Sequence, residues 1–200
     1  MTSVYDLELT TELENQFDLP DMYLEKLYLL MKTMTKYFKQ NHIKYFAEGG
    51  TLLGIMREKG QIKYDNDIDL GMLEGDFIKL LKCKNDIEKK FDFIVQYDSY
   101  CVKIFAKGVA LEPEPDKIIH PCMDIFCYKR YNNRIQIVVG GFENSYFRES
   151  EFLPLVKRKY HDIDVYTANQ SVPYLERYYG NWKKKIYTHK VYEKSKNEKE

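Results

Sequence analysis

The chain has 200 residues, room for one domain with a sizeable core and little for two. Lys plus Arg number 31, as do Asp plus Glu, so there is no global positive field to drive non-specific nucleic-acid binding. No apolar run approaches the roughly 20 residues that cross a bilayer, and the start Met1–Thr10 lacks the basic and apolar regions of a secretory signal. A cytoplasmic protein with neither a membrane span nor a nucleic-acid partner is therefore expected.

Pro20 to Gln40 carries Leu24, Leu27, Leu30, Met31, Met34 and Phe38 at spacings of three and four, which predicts an amphipathic helix with one buried stripe. Asp18 or Asp21 is the predicted cap. The apolar run Ile43–Ala47 reads as a buried strand that stops at Glu48, Gly49 and Gly50. Thr51–Glu58 then reads as a short helix closed by Lys59, Gly60 and Gln61.

Ile62–Met72 alternates: Asp65, Asp67 and Asp69 fall two apart, and Ile68, Leu70 and Met72 take the other parity. In a strand this lines three carboxylates along one face. Like charges packed side by side are costly unless a cation neutralises them, and hard oxygen ligands select magnesium or manganese over zinc. Upstream, the strand ending in Gly49-Gly50 opens a helix at Thr51. Glycine lets backbone N–H groups approach a phosphate closely, and a helix N-terminus favours negative charge. The expectation is a phosphate cradle facing a metal platform.

Asp76–Phe91 is a second predicted helix, interrupted near Lys84-Asn85. Strands are predicted at Phe93–Tyr97 and Cys101–Ala106, turning through Asp98-Ser99-Tyr100. Glu112–Asp116, with two prolines, reads as a stiff acidic connection. Met123–Tyr128 and Arg134–Val139 form a further hairpin, turning at Asn132-Asn133. The pattern is irregular from Ser145, and a helix resumes at Pro173–Tyr179. Cys83, Cys101, Cys122 and Cys127 show no zinc spacing and read as small buried residues.

Glu48-Gly-Gly-Thr-Leu-Leu-Gly54, then Arg57, then Ile62-Lys-Tyr-Asp-Asn-Asp-Ile-Asp-Leu-Gly71 resembles the signature of the LicD/fukutin family. Met123-Asp-Ile-Phe126 and Tyr174-Leu-Glu-Arg-Tyr-Tyr-Gly-Asn-Trp182 resemble two later elements of that family. The resemblance implies an α/β (α+β) nucleotidyltransferase-like fold, a small mixed sheet flanked by helices, as a single domain over 1–190 with a charged, disordered tail at 191–200. It further implies that Asp67 and Asp69 form a carboxylate pair on one strand, with Asp124 the third on a neighbouring strand.

On this reading Asp67, Asp69 and Asp124 are catalytic, and together with Asp65 they hold magnesium or manganese, two ions in all. Gly49, Gly50, Thr51, Arg57, Lys63 and Tyr64 bind substrate. The implied activity is transfer of phosphocholine or ribitol phosphate from a CDP-linked donor to a glycan hydroxyl, with CMP as leaving group and peripheral association with a glycan-assembly site. True nucleotidyl transfer and a non-catalytic nucleotide-binding module are the alternatives. The chain departs from the family where Ile62-Lys63-Tyr64 replaces Ile-Pro-Trp and where Glu58-Lys59-Gly60 lengthens a basic-glycine step. Both changes bear on substrate identity more than on chemistry.

Overall fold

The computed structural model describes residues 6–8, 18–97, 101–108, 110–114, 117–138 and 145–188. In chain order the elements are β1 (Asp6–Glu8), α1 (Asp21–Gln40), β2 (Phe46–Ala47), α2 (Gly49–Arg57), β3 (Asp67–Leu73), α3 (Glu74–Lys82), α4 (Lys84–Lys90), β4 (Phe93–Tyr97), β5 (Cys101–Ala106), β6 (Leu111–Glu114), β7 (Lys117–Ile119), β8 (Cys122–Tyr131) and β9 (Arg134–Ile137). They continue with β10 (Tyr146–Arg148), α5 (Glu149–Phe152), β11 (Val156–Tyr160), β12 (Ile163–Thr167), α6 (Val172–Tyr179) and β13 (Ile186–Thr188). No helix among these is long and apolar enough to cross a membrane.

Seven strands form a curled mixed sheet around β8. Along one edge β8 runs parallel to β3, with Asp69 opposite Asp124. Along the other edge its first half pairs antiparallel with β5, and its second half turns back through Asn132-Asn133 onto β9. Both asparagines have positive φ, 46° and 59°, a conformation their short polar side chains tolerate. β2 closes the sheet beyond β3, β10 closes it beyond β9, and β4 pairs with the free side of β5.

Period-two alternation gives the sheet two unlike faces. Ile68, Leu70 and Met72 of β3, Met123 and Ile125 of β8, and Val102 and Ile104 of β5 are all buried on one of them. Helix α1 lies across these three strands. It buries Tyr23, Leu27, Leu30, Met31, Met34, Tyr37 and Phe38, so its apolar stripe and the apolar sheet face form one contiguous core. The other face carries, in register across β3, β8 and β5, the row Asp69, Asp124, Lys103.

Several expectations change. Asp65 lies outside β3, in the turn where its N–H donates to the Ile62 carbonyl, so two of the three carboxylates share the strand. Neither Asp18 nor Asp21 caps α1: its N-cap is Pro20, and Asp18 pairs with Lys63 at 3.2 Å. Helix α2 begins at Gly49 itself. Leu111–Glu114, which contains Pro113, is strand rather than connection, paired with β7 in a separate two-stranded sheet where a missing amide is tolerated at an edge.

The stretch after Ser145 folds into β10, α5 and the β11–β12 hairpin. Its Lys and Arg residues hide that pattern because one face of the hairpin stays in water. The turn Asp98-Ser99-Tyr100, residue Val139 and the tail 191–200 lie outside the described residues. Three of the four cysteines are buried and all are free.

Gly71 marks the tightest approach between the sheet and its aromatic cover. A β-carbon there would overlap the Phe46 ring and sit 2.9 Å from that of Tyr128. Gly71→Ala is expected to cost about 1–3 kcal/mol through overpacking, seen as a lower urea midpoint with unchanged m-value.

Candidate functional site

The acidic row is built by strand register. Asp67 and Asp69 share a parity on β3, and Asp124 stands directly across from Asp69 on the parallel strand β8. Asp65 joins them from the preceding turn. That turn is pinned by its backbone: the Gln61 side-chain amide donates to the carbonyls of Asp65 at 2.9 Å and Asp67 at 3.1 Å, and the Tyr23 hydroxyl donates to the Asn66 carbonyl at 3.0 Å. Gln61 is itself held by the Tyr160 hydroxyl on its Oε1 and by His161, whose Nε2 accepts from the Gln61 N–H at 3.2 Å.

Helix α2 points its N-terminus into this cluster. The Gly50 N–H donates to Asp69 Oδ2 at 2.9 Å, and Thr51 Oγ1 accepts from the Asp69 N–H at 2.8 Å. The Gly49 N–H donates to the Tyr174 hydroxyl at 3.3 Å. The glycines are required by closeness: a β-carbon on Gly49 would lie 2.7 Å from Asp69 Oδ2, one on Gly50 would overlap Asp65 Oδ2, and Gly49 has φ +50°. In this arrangement the helix start serves the protein's own carboxylates, and its first amides are already engaged.

Electrostatics follow from the crowding. Burial raises Asp65 well above the ordinary carboxylate range, and the neighbouring charge of Asp67 adds to it. Burial also raises Asp67, with Asp124 adding to the effect and Lys103 opposing it. Asp69 is pushed well up by burial and by Asp67, Glu48 and Asp65, against the Gly50 hydrogen bond. Lys103 forms an ion pair with Asp124 Oδ2 from the neighbouring strand. The other oxygen, Oδ1, is buried without a hydrogen-bond partner.

The parallel β3–β8 pair, the glycine-started α2 and the β5–β8–β9 path occupy the segment that matches the family LicD/FKTN/FKRP, nucleotidyltransferase domain, at residues 42–170. The chain belongs to this family. An uncharacterised protein of Rickettsia typhi is 30% identical over 159 residues, 79% of this chain and 47% of its own length. One of Rickettsia prowazekii is 30% identical over 165 residues, 79% of this chain and 55% of its own. The lipopolysaccharide cholinephosphotransferase LicD of Haemophilus influenzae is 29% identical over 103 residues, 48% of this chain and 39% of its own. The chain spans about half the length of the first two of these curated relatives.

The remaining residues singled out from sequence surround this LicD-type site unevenly. Arg57 is turned to its own helix end: it pairs with Glu58 at 2.9 Å and donates to the Tyr64 hydroxyl at 3.3 Å. Lys63 is exposed and paired with Asp18. Sequence reasoning missed Lys103, because a lysine amid Cys101–Ala106 reveals nothing of the strand it will face. It also missed Gln61, whose role exists only once β11 brings up Tyr160.

Glu48, the buried residue before Gly49, is a structural anchor. Its Oε2 accepts from Tyr128 at 2.7 Å, Tyr174 at 3.1 Å and Ser145 at 3.4 Å. Burial lifts its pKa to about 6, while these three donors pull the other way. The folded state therefore holds a proton more tightly than the unfolded chain, whose carboxyl titrates near 4.5, and stability falls as pH rises through that window. Glu48→Gln removes this dependence. In chelator, denaturation from about pH 4 to about pH 8 should show the variant gaining about 2 kcal/mol relative to the native chain. A constant difference would contradict the assignment.

Proposed function

We propose that the protein is a metal-dependent transferase that moves a phosphorylated alcohol, of the phosphocholine or ribitol-phosphate kind, from a CDP-activated donor to a glycan hydroxyl with release of CMP. The reading rests on one arrangement above all: Asp69 and Asp124 face each other across parallel strands with Asp67 beside them, and Asp124 leaves one buried oxygen unpartnered. The family membership and the cholinephosphotransferase similar to it in Haemophilus influenzae support the same class of reaction.

The side chains fit a hard divalent cation. All four carboxylates are oxygen donors, burial and neighbouring charge make Asp65, Asp67 and Asp69 unfavourable as bare anions, and Oδ1 of Asp124 is buried without a hydrogen-bond partner. Among the described residues no three acidic, His or Cys side chains close around one point, so an ion held here would complete its coordination with water and substrate phosphates. Asp67, Asp69 and Asp124 would hold magnesium or manganese, with Asp65 orienting Asp67. When bound, such ions neutralise the charge that develops on the transferring phosphate and the departing CMP.

The chain's own groups do the positioning. The Gly50 amide and the Thr51 hydroxyl fix Asp69, Gly49 and Tyr174 fix the helix start, and Lys103 pairs with Asp124 from the neighbouring strand while its side chain stays half exposed beside the row. Tyr64, steadied by Arg57, offers an aromatic face for the base. We place the reaction in the cytoplasm, beside glycan assembly.

The family's description as a nucleotidyltransferase domain favours one second reading, transfer of NMP from an NTP. One assay separates the two. With magnesium and CDP-choline or CDP-ribitol the protein should release CMP, and Asp67→Ala and Asp124→Asn should slow that release about a hundredfold or more. Undiminished CMP release from Asp67→Ala would sink the proposal. Pyrophosphate from NTPs without CMP from CDP donors would select the second reading. Absence of metal-dependent nucleotide binding in calorimetry would leave a non-catalytic module.

A further inference from the structure

A concave site apart from the acidic row lies at the β2 edge, between the outer side of α1, the segment 42–45 and the β11–β12 hairpin. Its volume is about 760 Å³, within the roughly 300–1,000 Å³ of small-molecule pockets. None of its lining residues belongs to the acidic row or to the glycine turn.

The floor is apolar. Phe38, Ile43 and Tyr45 come from the core side, and Leu155 and Ile163 from the hairpin side. Leu153 and Tyr166 stand at the mouth, 48% and 37% exposed, large for apolar side chains left in water.

The rim is basic, in a chain whose net charge is zero. Lys32, Lys36 and Lys39 follow one another at helical spacing on α1, Lys44 follows on the segment after it, and Lys157 comes from the hairpin. Lys32 is paired with Asp162 at 3.5 Å, and Lys157 sits over the Tyr166 ring. Lys36, Lys39 and Lys44 make no ion pair among the described residues. The acid on the rim, Asp164, is engaged by Lys159 at 2.8 Å. Five lysines clustered above an apolar trough, three of them without an ion pair among the described residues, match a ligand with an anionic head and an apolar tail, since clusters of four or more basic side chains recognise anionic lipid surfaces.

We propose that this pocket binds an anionic lipid from a bilayer surface, with one apolar chain on the floor and the phosphate under Lys36, Lys39 and Lys44. The site docks the protein on a membrane without a spanning helix, by combining chain burial with headgroup charge, two signals that are each weak alone. It stands independently of the transfer reaction proposed above.

Vesicle flotation tests it, using phosphatidylcholine alone and phosphatidylcholine with an equal part of phosphatidylglycerol. The native chain should float with the mixed vesicles and stay behind with the neutral ones. Binding should fall roughly tenfold or more in Lys36→Glu/Lys39→Glu/Lys44→Glu, and comparably in Leu153→Asp. Lys82→Glu/Lys89→Glu, reversing exposed lysines away from the pocket, should bind like the native chain. Four results would overturn the proposal: no flotation with either vesicle, an equal loss in the control variant, full binding by Leu153→Asp, or binding of an acidic peptide through the same lysines without any vesicle binding.

Discussion

Five acidic side chains, Glu48, Asp65, Asp67, Asp69 and Asp124, are brought into mutual reach at one end of this fold, and much of the surrounding architecture restrains them. The parallel pairing of β3 with β8 sets Asp69 against Asp124. A helix start is pressed so close to the row that only glycines fit at positions 49 and 50. Repulsion among these groups favours protonation or a cation, and Asp124 retains an oxygen with no protein partner.

Around the row, each support acts on a different acid. Gly50 and Thr51 hold Asp69 by side chain and backbone, Gln61 and Tyr23 hold the turn bearing Asp65 and Asp67, and Lys103 holds one oxygen of Asp124. Glu48 is anchored by two tyrosines and a serine, and Tyr174 also meets the Gly49 amide. The Tyr174 ring stacks on Phe147 at 4.2 Å, which ties the helix start to β10. Helix α6 thus contributes directly to the site although it lies beyond the segment matching the family. A site held at several points by buried hydrogen bonds is preorganised, as charge-stabilising chemistry requires.

Chemistry and surface are divided between two regions of the sheet. One sheet face is acidic and carries the candidate reaction centre, while α1 covers the other with its apolar stripe and turns lysines outward at the β2 edge. The zero net charge conceals this polarity, because acidic and basic residues cancel in number and not in place. Local fields, rather than net charge, govern what each region attracts.

Local periodicity in the sequence determined the α1 stripe, the common parity of Asp67 and Asp69, the presence of a short helix after β2 and the turn at Asn132-Asn133, since each depends on neighbours a few positions away. The family signature, itself a run of such local patterns, brought Asp124 into the set. Tertiary structure alone decided that Lys103 faces Asp124, that the Gly49 and Gly50 amides are turned to Tyr174 and Asp69, and that Tyr160 comes up to hold Gln61 and with it the turn that takes Asp65 out of the strand. Those contacts join segments far apart in the chain, and strand register and packing, which no local pattern encodes, choose among the possible partners.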